Sequence, residues 1–168
     1  QFVYKIADRL RASPHLKLLL VGDGATFAEL QSFVRHAGLE QQVVLTGRVP
    51  HDQVPGLLAA MDMAVLPSAG DYTSPVKLFE FMACGIPPIA PDFSPILEVL
   101  EPGVTGWLFK ANDLEGAVEQ VLARSADREA LSTVGQAARN YISRERQWRN
   151  NVEQLVGFHL ERRAAKAP

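Results

Sequence analysis

Short apolar runs alternate along this chain with longer stretches in which apolar residues recur every three or four positions. A short run of this kind suits a strand covered on both faces, and a periodic stretch suits a helix with one apolar stripe. The alternation therefore predicts a parallel sheet with helices on both sides. In order, the pattern predicts a helix over 2–10, a strand over 17–21, a helix over 25–37 closed by Gly38, and a strand over 43–45. A helix over 52–61, a strand over 63–66, a helix opening at Pro75 and stopping at Gly85, and a strand over 88–90 follow. A short helix over 95–100, a strand over 105–109 and a helical remainder from 113 to about 165 complete the chain. Helix before strand at the amino end is unusual, because a doubly wound domain has a strand ahead of its first helix. A first strand is therefore expected to be missing, and Gln1 is not a natural start residue.

Ligands of open parallel sheets bind outside the carboxyl ends of the strands, where loops and helix starts converge. Three loops there carry suitable chemistry: Gly22-Asp23-Gly24, the segment 68–74, and Pro91-Asp92-Phe93-Ser94. In the middle one Ser74 precedes Pro75, the order expected of an N-cap followed by proline at the first helical position. The helix it opens is apolar except for Lys77 and Glu80, and so is expected to be buried nearly all round. Two charges three residues apart share a face close to the helix start. Free amides there, with the helix dipole behind them, attract phosphate, and a carboxylate one turn on can accept hydrogen bonds from a ribose diol. Phosphate beside ribose describes a nucleotide. On spacing alone, an ordinary surface pair of Lys77 and Glu80 remains an equal reading.

Composition narrows the classes without choosing among them. With 168 residues, 47% hydrophobic, 21% charged and a formal net charge of −2, the chain has the means for one core and no basic field for nucleic acid. Cys84 is the one cysteine, so no internal disulfide forms, no zinc spacing exists, and a reducing compartment, the cytoplasm, is expected. No apolar run is long enough to span a bilayer. His15, His36, His51 and His159 are expected at the surface, Asp23 as a turn residue, Cys84 in the core, and Trp107 and Trp148 against the carboxyl-terminal helices.

The run Asp71-Tyr72-Thr73-Ser74-Pro75-Val76-Lys77-Leu78-Phe79-Glu80-Phe81-Met82-Ala83-Cys84-Gly85-Ile86-Pro87-Pro88-Ile89-Ala90 closely resembles the donor-site signature of the family-4 retaining glycosyltransferases of the GT-B fold. Leu19 to Gly24, Val44 to Val49, Met63 to Ser68 and Gly103 to Phe109 are similar to other segments of that family, so the resemblance runs from about Lys17 to Leu155. It implies a Rossmann-like doubly wound domain with carboxyl-terminal helices. Such a domain is one half of a GT-B fold and binds a nucleoside-diphosphate sugar. No cofactor and no obligatory metal are implied. Position by position, Glu80 matches the glutamate that holds the donor ribose. The backbone of Ser74, Pro75, Val76, Lys77 and Leu78 matches the helix start that receives the diphosphate. Gly22 and Gly24 match the cleft-lining turn, and Arg48 and Val49 lie where the nucleobase rests. Lys77 is the candidate for added positive charge at the leaving group.

Two departures stand out. Tyr72 occupies the place of the family's first glutamate, with Asp71 beside it as a candidate substitute. The family's phosphate-gripping arginine and lysine lie ahead of the first helix and are not in this sequence. The implied partners are a nucleotide sugar and a missing amino-terminal acceptor domain, through which alone a membrane contact is expected. The isolated chain is expected to be inactive.

Other classes fit the same residues less well. A dinucleotide-binding oxidoreductase requires a third glycine where Phe27 stands and an acid after the second strand, where Thr46-Gly47-Arg48 stands. A nucleotide-sugar epimerase leaves the Ser-Pro-x-Lys-Leu-Phe-Glu run unexplained. A decayed scaffold module accounts for Tyr72 but not for the retention of Glu80 and both glycines.

Overall fold

The computed structural model describes residues 1–68 and 75–164. Helices α1 (Phe2–Ala12), α2 (Phe27–His36), α3 (Val54–Leu58) and α4 (Val76–Ala83) alternate with strands β1 (Leu18–Leu20), β2 (Val43–Leu45) and β3 (Ala64–Val65). Strand β4 (Pro88–Pro91), α5 (Ser94–Leu97), β5 (Trp107–Phe109), α6 (Leu114–Ser125), α7 (Arg128–Glu145) and α8 (Trp148–Ala164) follow. Every ladder is parallel, and the strands form two groups, β1-β2 and β3-β4-β5.

The layers follow from the two-residue period of a strand. Ile89 joins a cluster built from α1, α6 and part of α7, while Ala90 points into a second cluster with Leu78 and Met82 of α4, Ile96 of α5, and Ala138 and Ile142 of α7. In β5 the same alternation puts Trp107 and Phe109 in the first cluster and Leu108 against the second. Helices thus cover both faces, as the alternation of runs predicts. The inner stripe of α1 is Phe2, Val3, Ile6, Ala7 and Leu10, all buried. Burying one such side chain contributes about 1.5–3 kcal/mol relative to leaving it exposed.

Two helices begin on aspartate caps. Asp113 Oδ1 accepts from the Gly116 amide, and Asp127 Oδ1 accepts from the Ala130 amide, each at 2.9 Å. Replacing Asp127 by alanine frees that amide at the start of the longest helix. A loss of about 1 kcal/mol is expected, read as a lowered midpoint in urea with an unchanged slope.

Three expectations are corrected. Trp148 is 84% exposed rather than packed away, whereas Trp107 is buried with the Arg124 guanidinium 5.2 Å above its ring. Cys84 is exposed, because α4 ends at Ala83 and the cysteine sits on its outer side as C-cap. The segment 52–61 is shorter than its pattern suggests: a single 3-10 turn, His51–Gln53, leads into the five-residue α3, which has Pro55 in its first turn and Gly56 within it. The four histidines are exposed as expected. Among the described residues, no helix is long and apolar enough to cross a membrane.

Candidate functional site

The exits of β1 and β2 are tied together. The Gly22 amide donates to the Gly47 carbonyl at 3.0 Å, forming an antiparallel bridge past the ends of both parallel strands. Gly22 has φ +128°, a conformation that any side chain strains. The Thr46 hydroxyl lies 2.9 Å from the Gly47 carbonyl and 3.3 Å from that of Leu20, and the Gly22 amide points at its oxygen from 3.4 Å. Thr46 therefore staples the two loops, a role sequence reasoning passed over. A hydroxyl residue next to glycine at a strand exit is the signal for it. Arg48, exposed, and Val49, half-buried, leave directly from this staple. At Gly24 an added Cβ would meet open space.

Helix α4 starts one residue later than its sequence suggests. Pro75 is the N-cap, not the first helical residue: its ψ of 60° lies outside the helical range, and its carbonyl accepts the Phe79 amide at 3.2 Å. The first-turn amides are those of Val76, Lys77 and Leu78, and among the described residues no side chain caps them. Leu78 and Met82 are fully buried, but Val76 is 57% exposed, and Lys77, Glu80, Ala83 and Cys84 are exposed with it. These positions line one face of the helix, so α4 is buried on one side only, contrary to the expectation from its composition. Its inner side packs on α7 and its outer side is open.

That open face carries Lys77 and Glu80 without pairing them. The ion pairs among the described residues are Arg9–Glu115, Arg11–Asp8 and Arg128–Asp62. A surface salt bridge between Lys77 and Glu80 is therefore absent, and both charges remain available to a ligand. Their helix leaves the carboxyl end of β3, the edge at which parallel sheets collect ligands.

The third loop behaves differently. Asp92 Oδ1 accepts the Ala111 amide at 2.6 Å, and the Asp92 amide donates to the Phe109 carbonyl at 3.0 Å. This carboxylate ties the ends of β4 and β5 and has a structural use. Asp71, Tyr72 and Ser74 lie outside the described residues. Two hollows lie away from the three loops. One, of about 260 Å³, is lined by Asp62, Gly85, Pro87, Arg128, Leu131 and Ser132, ahead of β3 and β4. The other, of about 520 Å³, surrounds Trp107 between α6 and α7.

Residues 1–141 match the family described as glycosyl transferases group 1. The chain belongs to this family. N-acetyl-alpha-D-glucosaminyl L-malate synthase of Bacillus anthracis is 36% identical over 126 residues, which are 75% of this chain and 32% of that protein. The chain thus spans about a third of the length of this curated relative. Among solved structures, Anabaena Alr3699/HepE in complex with UDP superposes with a TM-score of 0.76 at 24% identity, over 94% of this chain and 44% of that one. The C-terminal domain of a glycosyl transferase group 1 family protein, LpcC, from Francisella tularensis superposes with a TM-score of 0.75 at 18% identity, over 88% of this chain and 78% of that one. The α/β fold is therefore that of the GT-B glycosyltransferases. In this glycosyl transferases group 1 chain the stapled glycine turn, Arg48, Val49 and the open face of α4 all stand at strand exits. Lys77 and Glu80 share the α4 face.

Proposed function

We propose that this chain is the donor-binding, carboxyl-terminal domain of a retaining glycosyltransferase that moves a hexosyl group from a nucleoside-diphosphate sugar to an acceptor. The observation that carries the reading is the Glu80 carboxylate on the open face of α4, without an ion-pair partner among the described residues and one turn from three amides that no described side chain caps. A carboxylate there accepts two hydrogen bonds from a ribose diol, and the amides of Val76, Lys77 and Leu78 face the diphosphate with the positive end of the helix dipole behind them. Arg48 and Val49 border the base, Gly22 and Gly24 let the backbone approach the donor, and the proposed donor-binding set also takes in Ser74 and Pro75 with Asp71 and Tyr72. The superposition on a UDP complex and on an isolated C-terminal domain supports the same assignment.

In the transfer, the bond between the anomeric carbon and the diphosphate oxygen breaks and its electron pair goes to the diphosphate. The acceptor oxygen bonds to the same carbon, on the face the diphosphate leaves, and its proton passes to the departing diphosphate oxygen. Donors already aimed at the oxygen that gains charge stabilise this step without reorganisation. Lys77 adds a positive charge near that oxygen. The acceptor is held by an amino-terminal domain of the same protein, the reaction takes no cofactor, and the compartment is the cytoplasm.

Saturation-transfer NMR on the chain with UDP, GDP, ADP and NAD together tests the binding half. One nucleoside diphosphate is expected to show saturated ribose protons, and NAD none. A folded chain that binds none of the four, alone or within the whole protein, overturns the reading. Retention is checked on the whole protein from the anomeric coupling of the product before it equilibrates.

A further inference from the structure

Two hollows lie at the amino ends of β3, β4 and β5, the opposite edge of the sheet from the strand exits, and each has one arginine in its wall. In the smaller, Arg128 stands 3.9 Å from the Asp62 carboxylate, so the protein itself answers its charge. In the larger, of about 520 Å³, Arg124 has no carboxylate within ion-pair distance among the described residues. Arg124 is nonetheless half-buried: its guanidinium gives up part of its hydration and receives no anion in return.

The group is held in place. Arg124 Nε donates to Gln120 Oε1 at 3.3 Å, one turn back on α6, and the guanidinium carbon lies 5.2 Å from the centroid of the Trp107 ring. These two contacts leave the terminal N–H groups of Arg124 without an acceptor among the described residues. The side-chain N–H groups of Gln120 meet none there either. Nor does the indole N–H of Trp107, and because no buried side-chain nitrogen among the described residues lacks a partner, this N–H reaches the surface. Donors from three side chains with no protein acceptor describe a place for an oxyanion. Leu108, Ala130 and Val134 supply an apolar wall beside them. The volume falls within the roughly 300–1,000 Å³ usual for small-molecule sites. Arg124 brings the one formal charge of the donor set, which matches a carboxylate better than a doubly charged phosphate, and the apolar wall suits a body of carbon.

We propose that this hollow is a second ligand site, which takes the carboxylate of a small organic acid on Arg124 and Gln120 and the acid's apolar part against Leu108, Ala130 and Val134. The planar fork of Arg124 receives both carboxylate oxygens. Because the guanidinium is already held over the indole, binding immobilises little that was free. The site lies at the other edge of the sheet from Glu80 and stands independently of the donor reading.

Fluorine NMR of the 168-residue chain, with fluorotryptophan at both tryptophans and benzoate as the probe, tests it. The Trp107 signal is expected to shift saturably, with a Kd on the order of 1 mM. Trp148, on α8 and 84% exposed, is the internal control and is expected to stay where it is. Arg124→Ala is expected to weaken benzoate binding at least about 10-fold, and Arg124→Lys, which keeps the charge and loses the fork, to fall between. The lysine variant carries the test should the alanine variant fail to fold. Benzylamine, with the same ring and the opposite charge, is expected to leave Trp107 unshifted. A Trp107 signal that does not saturate, an equal response to benzylamine, or an affinity unchanged in both variants overturns the proposal. Inorganic phosphate binding as tightly as benzoate overturns it too, because the apolar wall then has no part in recognition.

Discussion

Replacing Glu80 by alanine is expected to lower the affinity for the nucleoside diphosphate proposed as ligand by about 10- to 100-fold, the loss of hydrogen bonds to a charged acceptor worth about 1.5–3 kcal/mol. The fold is expected to be indifferent. Glu80 is exposed, has no ion-pair partner among the described residues, and sits opposite the buried Leu78 and Met82, so its change in stability is expected to stay within about 0.5 kcal/mol. Isothermal titration and a urea melt on one sample separate these effects. Glu80→Gln keeps one acceptor oxygen and is expected to fall between the two. Equal affinities for wild type and Glu80→Ala place the ribose elsewhere and sink the role given to this carboxylate.

The succession of elements was legible because runs and periods depend on local composition. The alternation in β4 and β5 shows why it translated into layers: each strand feeds both clusters, and its apolar residues are needed on both sides. Boundaries shifted where a backbone detail decided them. Pro75 became the cap because its own ψ left the helical range, which no pattern of side chains records. Exposure was least legible. The apolar residues of α4, Trp148 and Cys84 all suggest burial, but sequence records that a residue is apolar, not whether a neighbour is present to cover it. The open side of α4 is therefore the informative departure. An apolar helix that leaves Val76 in solvent beside Lys77 and Glu80 has its uncovered face at a strand exit, where a ligand can cover it.

The packing that holds this face in place predicts the largest change in stability. α7 approaches the end of α4 through Gly135, where an added Cβ would overlap the carbonyl oxygen of Gly85 and come within 3.1 Å of its carbonyl carbon and of Pro87 Cδ. The obstacles are backbone and a proline ring, neither of which rotates aside. Gly85 itself has φ +75° and closes the turn after α4, so it cannot move without disturbing the helix that carries Glu80. Gly135→Ala is therefore expected at the upper end of overpacking costs, about 3 kcal/mol, against the small gain that alanine brings to an exposed helix position. For a domain of this size that corresponds to a fall in Tm of roughly 6–12 °C. Because α7 braces the inner side of α4, nucleotide affinity is expected to fall as well, although Gly135 is buried on the far side of the helix from Glu80. Calorimetry of the variant with and without saturating nucleotide checks both parts. An unchanged Tm would show that α7 slides on α4 without cost, and the donor face would then owe its position to the sheet alone.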